Sequence, residues 1–555
     1  MKRRALLGGV MGLGGVGALG RLGAAGLQAG GDVPGLQALR ATTASLDAIR
    51  GVDAHCHIFN ASDLLVGPFV SEVEAKANPD SPLGYVVGKV AKVFQRFAPT
   101  AREEMKWLAR RPLAQALAPS DAWMAQGRFM HAMEASAEDS DDRFREVWEA
   151  IAEEEPDAYE AFFDDYAQLQ DRAIRGSGLA GSAFVTSNQL AKGVRDNPEL
   201  ANFLVTEELK PRSGAAPILA FLKTFVRYRY ENAMTLMALH GGSSERPIGL
   251  YTPAMVDFDL WIGPARCSEA TPSPIADQIA LSARIAQATN HQVRCLAPFN
   301  PLRAAVDEGY FDLMEGAVTT YGCLGFKIYP PMGFSPWQNP DGMARRLDCG
   351  TRVTGARLDA MMERFFALCA RHRAPILAHG SPSNSPGGDA ARALLGGPDN
   401  WARTFERFPE YFGGGDPAVK VCIAHFGGIS TPAHTRGWAD RLAALMEVHP
   451  CLYADTSYLD GLLSSGAGHE ALLERLTQAL ATPVVRERMM YGSDWSMLAK
   501  EPGVENYPVL LSRALDRIAI PAEDKEAIFV GNAFRFYALD AGGEGRVRFL
   551  EGAAQ

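Results

Sequence analysis

From about residue 247 onward the chain alternates short apolar runs with amphipathic stretches, and this alternation restricts its fold more than any other feature. The strand candidates are Pro247–Leu260, Gln292–Asn300, Cys323–Pro330, Ala374–His379, Val419–His425, Cys451–Asp455 and Met489–Asp494. Between them, Ser273–Thr289, Leu358–His372, Ala439–His449 and Glu470–Ala481 repeat apolar residues at helical spacing. An earlier run, Ile49–His57, brings the strand candidates to eight. Strands separated by helices pair in parallel through right-handed crossovers, so eight of them predict an α/β fold of the closed (β/α)8 TIM-barrel type. An open doubly wound sheet lacks support, because no GxGxxG follows a strand and no Walker-type phosphate loop is present.

Residues 61–246 separate the first strand from the second and are far too many for a loop. Ser136–Gln170 is strongly acidic, yet it spaces Phe144, Val147, Trp148, Ile151, Tyr159, Phe162, Phe163, Tyr166 and Leu169 roughly as a helix would. Pro217–Leu239, with Phe221, Phe225, Tyr228, Tyr230 and Met237, reads as another helix with a buried face. The segment is expected to be a mainly helical insertion, either capping the barrel mouth or making an oligomer contact. The barrel then takes 31–60 and 247–540, and 541–555 forms a C-terminal tail.

The net charge is -10, and no Lys/Arg-rich run occurs beyond the first few residues. That argues against nucleic acid and leaves a small-molecule substrate as the expected partner. Residues 1–30 join Arg3 and Arg4 to a Gly-rich apolar run and then to Ala24, Ala25 and Ala29, a pattern that resembles a twin-arginine export signal. A periplasmic location is expected, with a Gly-rich arm on a cytoplasmic protein as the alternative. The run is too short and glycine-rich to anchor the chain stably in a membrane. Cys56, Cys295, Cys323, Cys422 and Cys451 lie in or beside apolar runs and no CxxC occurs, so buried free thiols are expected.

Catalytic groups of such barrels sit at the carboxyl ends of the strands. Polar residues recur there. GVDAHCHIFN carries His55 and His57 two apart, on one side of an extended segment, where both imidazoles can meet one cation. PILAHGSPS ends a strand with His379, VKVCIAHFGG with His425 and RMMYGSDWSM with Asp494. Each follows a largely apolar run, as a buried parallel strand does before it reaches the pocket. Asp455, in LYADTSYLD, is placed to orient a ligand histidine or to make a strand-end turn. Ser381, Ser383, Asn384 and Trp495 are candidate pocket lining, and the other seven histidines are expected at the surface.

This ordered set resembles the amidohydrolase superfamily, especially the branch of metal-dependent hydrolases and decarboxylases that includes aminocarboxymuconate semialdehyde decarboxylase. The resemblance covers 49–57 and about 247–540, and includes IFVGNAFRFYAL, similar to the stretch that follows the last strand in that family. It implies one divalent metal ion, Zn2+ first, held by His55, His57, His379 and Asp494. His425 is implied as the neighbour that contacts metal-bound water or polarises the substrate. Lys327, in CLGFKIYPPMGF, ends the fourth strand. It is expected to hold a substrate carboxylate together with Tyr329; a second metal bridged by carboxylated Lys327 is the alternative drawn from two-metal relatives.

Three imidazoles and a carboxylate leave a coordination position for water, and Asp494 can take a proton from it and return it to the leaving group. The expected function is a metal-dependent hydrolase acting on an ester, lactone, amide or related bond. A decarboxylase on the same residues is the nearest alternative, and a non-catalytic metal-binding barrel the second. A homo-oligomer is compatible with the sequence. No motif names the substrate.

Overall fold

The computed structural model describes residues 46–74, 82–110, 128–161, 216–242, 245–263, 266–341, 345–382, 386, 389–430, 436–540 and 542–547. The candidate export signal lies outside them, as do Phe162, Phe163, Tyr166, Leu169, Ser383 and Asn384. Eight short parallel strands build the centre: β1 (Val52–Cys56), β2 (Leu250–Pro253), β3 (Ala297–Pro298), β4 (Phe326–Ile328), β5 (Ile376–Ala378), β6 (Val421–Ile423), β7 (Leu452–Asp455) and β8 (Met489–Met490). Each falls inside a strand candidate read from the sequence.

Strands β3 to β8 form one parallel ladder in chain order, and β1 pairs with β2. The register aligns Lys327 with Leu377 and Met490 with Asp455. Backbone hydrogen bonds close the circle on both sides. Arg294 N reaches Tyr251 O at 2.9 Å and Leu296 N reaches Pro253 O at 2.8 Å, joining β2 to β3. Ala54 N reaches Tyr491 O at 2.9 Å, joining β1 to β8. With no free edge left, the sheet is a (β/α)8 barrel.

The crossovers form where capping and amphipathic signals coincide. Asn300 ends β3 and accepts hydrogen bonds from Leu302 N and Arg303 N, while Pro301 opens the helix in its preset φ. Thr354 caps Gly355–Arg371, whose Leu358, Met361, Met362, Phe365, Phe366 and Cys369 are buried at helical spacing. Phe365 stacks on Phe299 at 3.9 Å between ring centres and meets Phe326 edge-on at 5.2 Å, which locks that helix over β3 and β4. Burying one such ring stabilises by roughly 1.5–3 kcal/mol.

A second, smaller core gathers residues from most of the strands, among them Val52, Leu250, Leu377, Cys422, Tyr453 and Met490, against Phe536 and Tyr537. Asn532 explains the GNA stretch: its Nδ2 donates to Met489 O at 2.5 Å and to Arg486 O at 2.7 Å, tying the last helix to the start of β8.

Between β1 and β2 the described residues are mainly helical and include α1 (Pro82–Phe97), α2 (Ala101–Ala109), α3 (Arg128–Glu154), α4 (Ala216–Thr224) and α5 (Arg229–Gly241). The single helix expected over 217–239 is two, broken at Phe225–Tyr228, where Tyr228 takes extended φ/ψ and starts α5. Phe144, Val147, Trp148, Ile151 and Tyr159 are buried as expected. Arg229 fastens this layer. Its guanidinium is bonded to Asp63 at 2.5 Å and to Glu104 at 2.9 Å, all three side chains being buried. Helix α4 packs against the turn Met497–Lys500 just beyond β8.

Cys56, Cys295, Cys323, Cys369, Cys422 and Cys451 are buried free thiols. Cys267 and Cys349, which no spacing pattern pairs, form a disulfide. Two of the histidines expected at the surface, His240 and His291, are buried instead. No helix among the described residues is long and apolar enough to cross a membrane.

Candidate metal centre

Two residues of β1 and its continuation, His55 and His57, present their rings to the end of β8. The two strands are drawn together below them. Ser493 donates from its backbone N to Asp53 Oδ1 at 3.0 Å and from Oγ to Asp53 Oδ2 at 2.5 Å. Asp494 N then donates to His55 O at 2.8 Å. Gly492 is needed for this approach, since an added Cβ would stand 3.0 Å from His55 Cβ. Burial pushes the Asp53 carboxyl up to about 7.

Asp494 Oδ1 lies 3.1 Å from His57 Nε2 and 3.7 Å from His55 Nε2. The ligand atoms of these three buried residues all fall within 4.8 Å of one another, as do those of His55, His425 and Asp455. In each ring the far nitrogen is already committed. His57 Nδ1 donates to Ala254 O at 2.7 Å, and His55 Nδ1 lies 3.0 Å from both Asp455 Oδ2 and Ser457 Oγ. Such partners fix tautomer and ring orientation, leaving Nε2 for a metal. His425 stands beside His55 with 5.2 Å between ring centres, and its Nε2 lies 3.2 Å from His379 Nδ1. The structure therefore brings His55, His57 and Asp494 into one cluster, sets His425 against them and places His379 in contact with His425, outside both three-residue groups.

Burial, reinforced by the charge of Lys327, pushes the His55 imidazole down to about 3, and burial next to His425 holds His379 well below its ordinary value. Burial alone would raise the Asp494 and Asp455 carboxyls. Hydrogen bonds and charges of the surrounding imidazoles outweigh it, so both stay well below the usual carboxylate range. Neutral imidazole beside ionised carboxylate is the donor chemistry that a divalent cation such as zinc requires. The residues present therefore fit a divalent metal, with His55, His57 and Asp494 as its holders.

Lys327 is buried, with Nζ 3.0 Å from His55 Nε2 and burial pushing its amine down to about 8. It sits inside the cluster. Half-buried Tyr329 stacks on His379 with 4.1 Å between ring centres and meets Phe258 edge-on at 4.8 Å. Ser381 and Trp495 are buried.

His425 and Asp494 both take positive φ, 58° and 57°. Side chains with a Cβ pay roughly 1–2 kcal/mol for that region, which persists only where surrounding bonds dictate it. Here they do: His425 N donates to Asp455 Oδ1 at 2.8 Å, and Asp494 N to His55 O. Sequence reasoning passed over Ser457 and the Asp53–Ser493 pair. Ser457 Oγ touches His55 Nδ1, His425 Nδ1 and Asp455, and its position two residues beyond Asp455, in ADTS, was the available signal.

Residues 278–539 match the profile of the family described as Amidohydrolase, a stretch that includes His379, His425 and Asp494. No curated protein matches the chain significantly. Among solved structures it is similar to an uncharacterized TIM-barrel protein from Bordetella bronchiseptica, at 16% identity and a TM-score of 0.34 over 62% of this chain and 92% of that one. It is also similar to 5-carboxyvanillate decarboxylase from Sphingomonas paucimobilis, at 15% identity and a TM-score of 0.32 over 52% and 79%. A zinc-bound amidohydrolase from Burkholderia multivorans gives 16% identity and a TM-score of 0.35 over 57% and 92%. At such TM-scores these likenesses add nothing to the reaction. The closed strand order, the clustered strand-end ligands and the profile match over residues 278–539 agree in supporting an enzyme of the amidohydrolase type.

Proposed function

We propose that this enzyme hydrolyses an ester, lactone, amide or related bond of a small, carboxylated substrate with the help of one divalent metal, zinc first. The observation that carries the reading is the convergence of His55 Nε2, His57 Nε2 and Asp494 Oδ1 at one end of the barrel, with the opposite nitrogen of each ring already hydrogen-bonded. His379 is the fourth donor that family resemblance implies. A divalent cation held there would supply Lewis acidity that helps the attacking water lose a proton near neutral pH.

The chain's own groups do the rest. Asp494, ionised, accepts a proton from the attacking water and returns it to the leaving group. His425, beside His55, is the group that would hydrogen-bond an oxyanion developing on the substrate. Lys327 takes the substrate carboxylate, and Tyr329 forms the adjoining wall. Turnover in 18O-labelled water tests the reading: a hydrolase places solvent oxygen in the product. Release of carbon dioxide with no label in the product would instead establish the decarboxylase. We also propose that the chain is exported to the periplasm through its Arg3–Arg4 leader.

A further inference from the structure

The two cysteines that are not buried, Cys267 and Cys349, are the two that are bonded, across 82 residues of sequence; the six buried ones are free. Cys267 follows β2 in the loop that carries Phe258 and Trp261. Cys349 lies in the turn of the antiparallel hairpin Arg345–Arg346 and Arg352–Val353 that follows β4. Aromatic contacts also join the two loops. Trp261 stacks on Phe334 at 5.8 Å and covers Gly333, where an added Cβ would meet its ring at 2.6 Å. Phe258 then meets Tyr329, and Tyr329 stacks on His379. The disulfide joins the same two loops that these ring contacts join, and the contacts of Tyr329 reach His379.

We propose that the Cys267–Cys349 bond is a redox-dependent clamp on the two loops that wall the substrate pocket after β2 and β4, closed once the folded chain reaches an oxidising compartment. The proposal rests on the hydrolase reading only in taking Tyr329 as a pocket wall. Closure converts two thiols into one disulfide, releasing two protons and passing two electrons to a disulfide-bearing oxidant by thiol–disulfide exchange. In a folded protein only solvent-reachable thiols take part, so a chain that folds first and is oxidised later bonds this pair and spares the six buried thiols. The Arg3–Arg4 leader expected from the sequence fits that order of events. Reduction loosens the loops without separating them, because Cys267 N also donates to Asp348 Oδ1 at 3.0 Å.

The full-length protein, purified without reductant, denatured and alkylated, is expected to carry six adducts, and eight after prior reduction. Eight without reduction overturns the proposal. In the native protein, dithiothreitol is expected to expose Cys267 and Cys349 alone to alkylation. It is also expected to raise amide exchange in Phe258–Ile262 and Met332–Ser335 by about tenfold, as local opening becomes easier. Cys267→Ser gives the same comparison without reductant. A bond that forms but leaves exchange unchanged when broken overturns the clamp. Neither readout uses metal or substrate, so its failure leaves the hydrolase reading standing, and absence of hydrolysis leaves the clamp standing.

Discussion

His55 Nδ1 and Asp455 Oδ2 lie 3.0 Å apart with both side chains buried. An ionised carboxylate can only accept, so His55 carries its proton on Nδ1 and offers the lone pair of Nε2 on the side of Asp494. Asp455 is therefore a positioning residue. Asp455→Asn is expected to weaken metal binding about 10- to 100-fold, measured by competition with a chromophoric chelator. An unchanged affinity would show that His55 needs no such support.

Lys327 distinguishes one metal from two. As an anion-holding amine it leaves the metal content at one equivalent whether or not bicarbonate is supplied, and Lys327→Met keeps that equivalent. Metal content that climbs to two with bicarbonate, and falls in Lys327→Met, would identify a carboxylated lysine instead.

Arg229 holds Asp63 and Glu104 together within the insertion. Removing one partner of a buried ion cluster strands the remaining charges, at a cost of about 3–5 kcal/mol. Arg229→Met is expected to lower the urea-unfolding free energy by that amount. A loss below about 1 kcal/mol would show the cluster to be solvated.

His240, buried, has Nε2 3.0 Å from Val504 O, and burial pushes its imidazole down to about 4. The folded value lies below the unfolded one, so on acidification the unfolded chain binds the proton first. Stability is lost as the pH falls below about 6.5, and the loss is complete below about 4. At pH 5 this group costs about 2 kcal/mol relative to pH 7. His240→Gln cannot titrate there, and its unfolding free energy is expected to drop correspondingly less between those two pH values. Parallel pH dependence in the two proteins would contradict the assignment.

What could be read from the sequence follows from what local chemistry encodes. Strand-end residues such as His55, His379, His425 and Asp494 stood out because a polar group after a buried apolar run is costly unless it is used. The GNA stretch was recognisable by resemblance, and its role emerges only from Asn532 reaching back to Met489. Three-dimensional closure was not encoded locally. Cys267 and Cys349 pair because the loops after β2 and β4 come together in the fold, 82 residues apart in sequence, and no spacing reports that. His240 looked like a surface residue because its partner, Val504, is far away in sequence. The break at Phe225–Tyr228 lacked any Gly or Pro to mark it, and an apolar pattern continuous across it read as one helix.

Metal analysis of the purified full-length protein and of Asp494→Ala decides most directly whether His55, His57 and Asp494 form a mononuclear centre. One equivalent in the wild type, lost in Asp494→Ala with the fold retained by circular dichroism, is the expected result. No metal in the active wild-type enzyme, or a full equivalent still bound in Asp494→Ala, would contradict it.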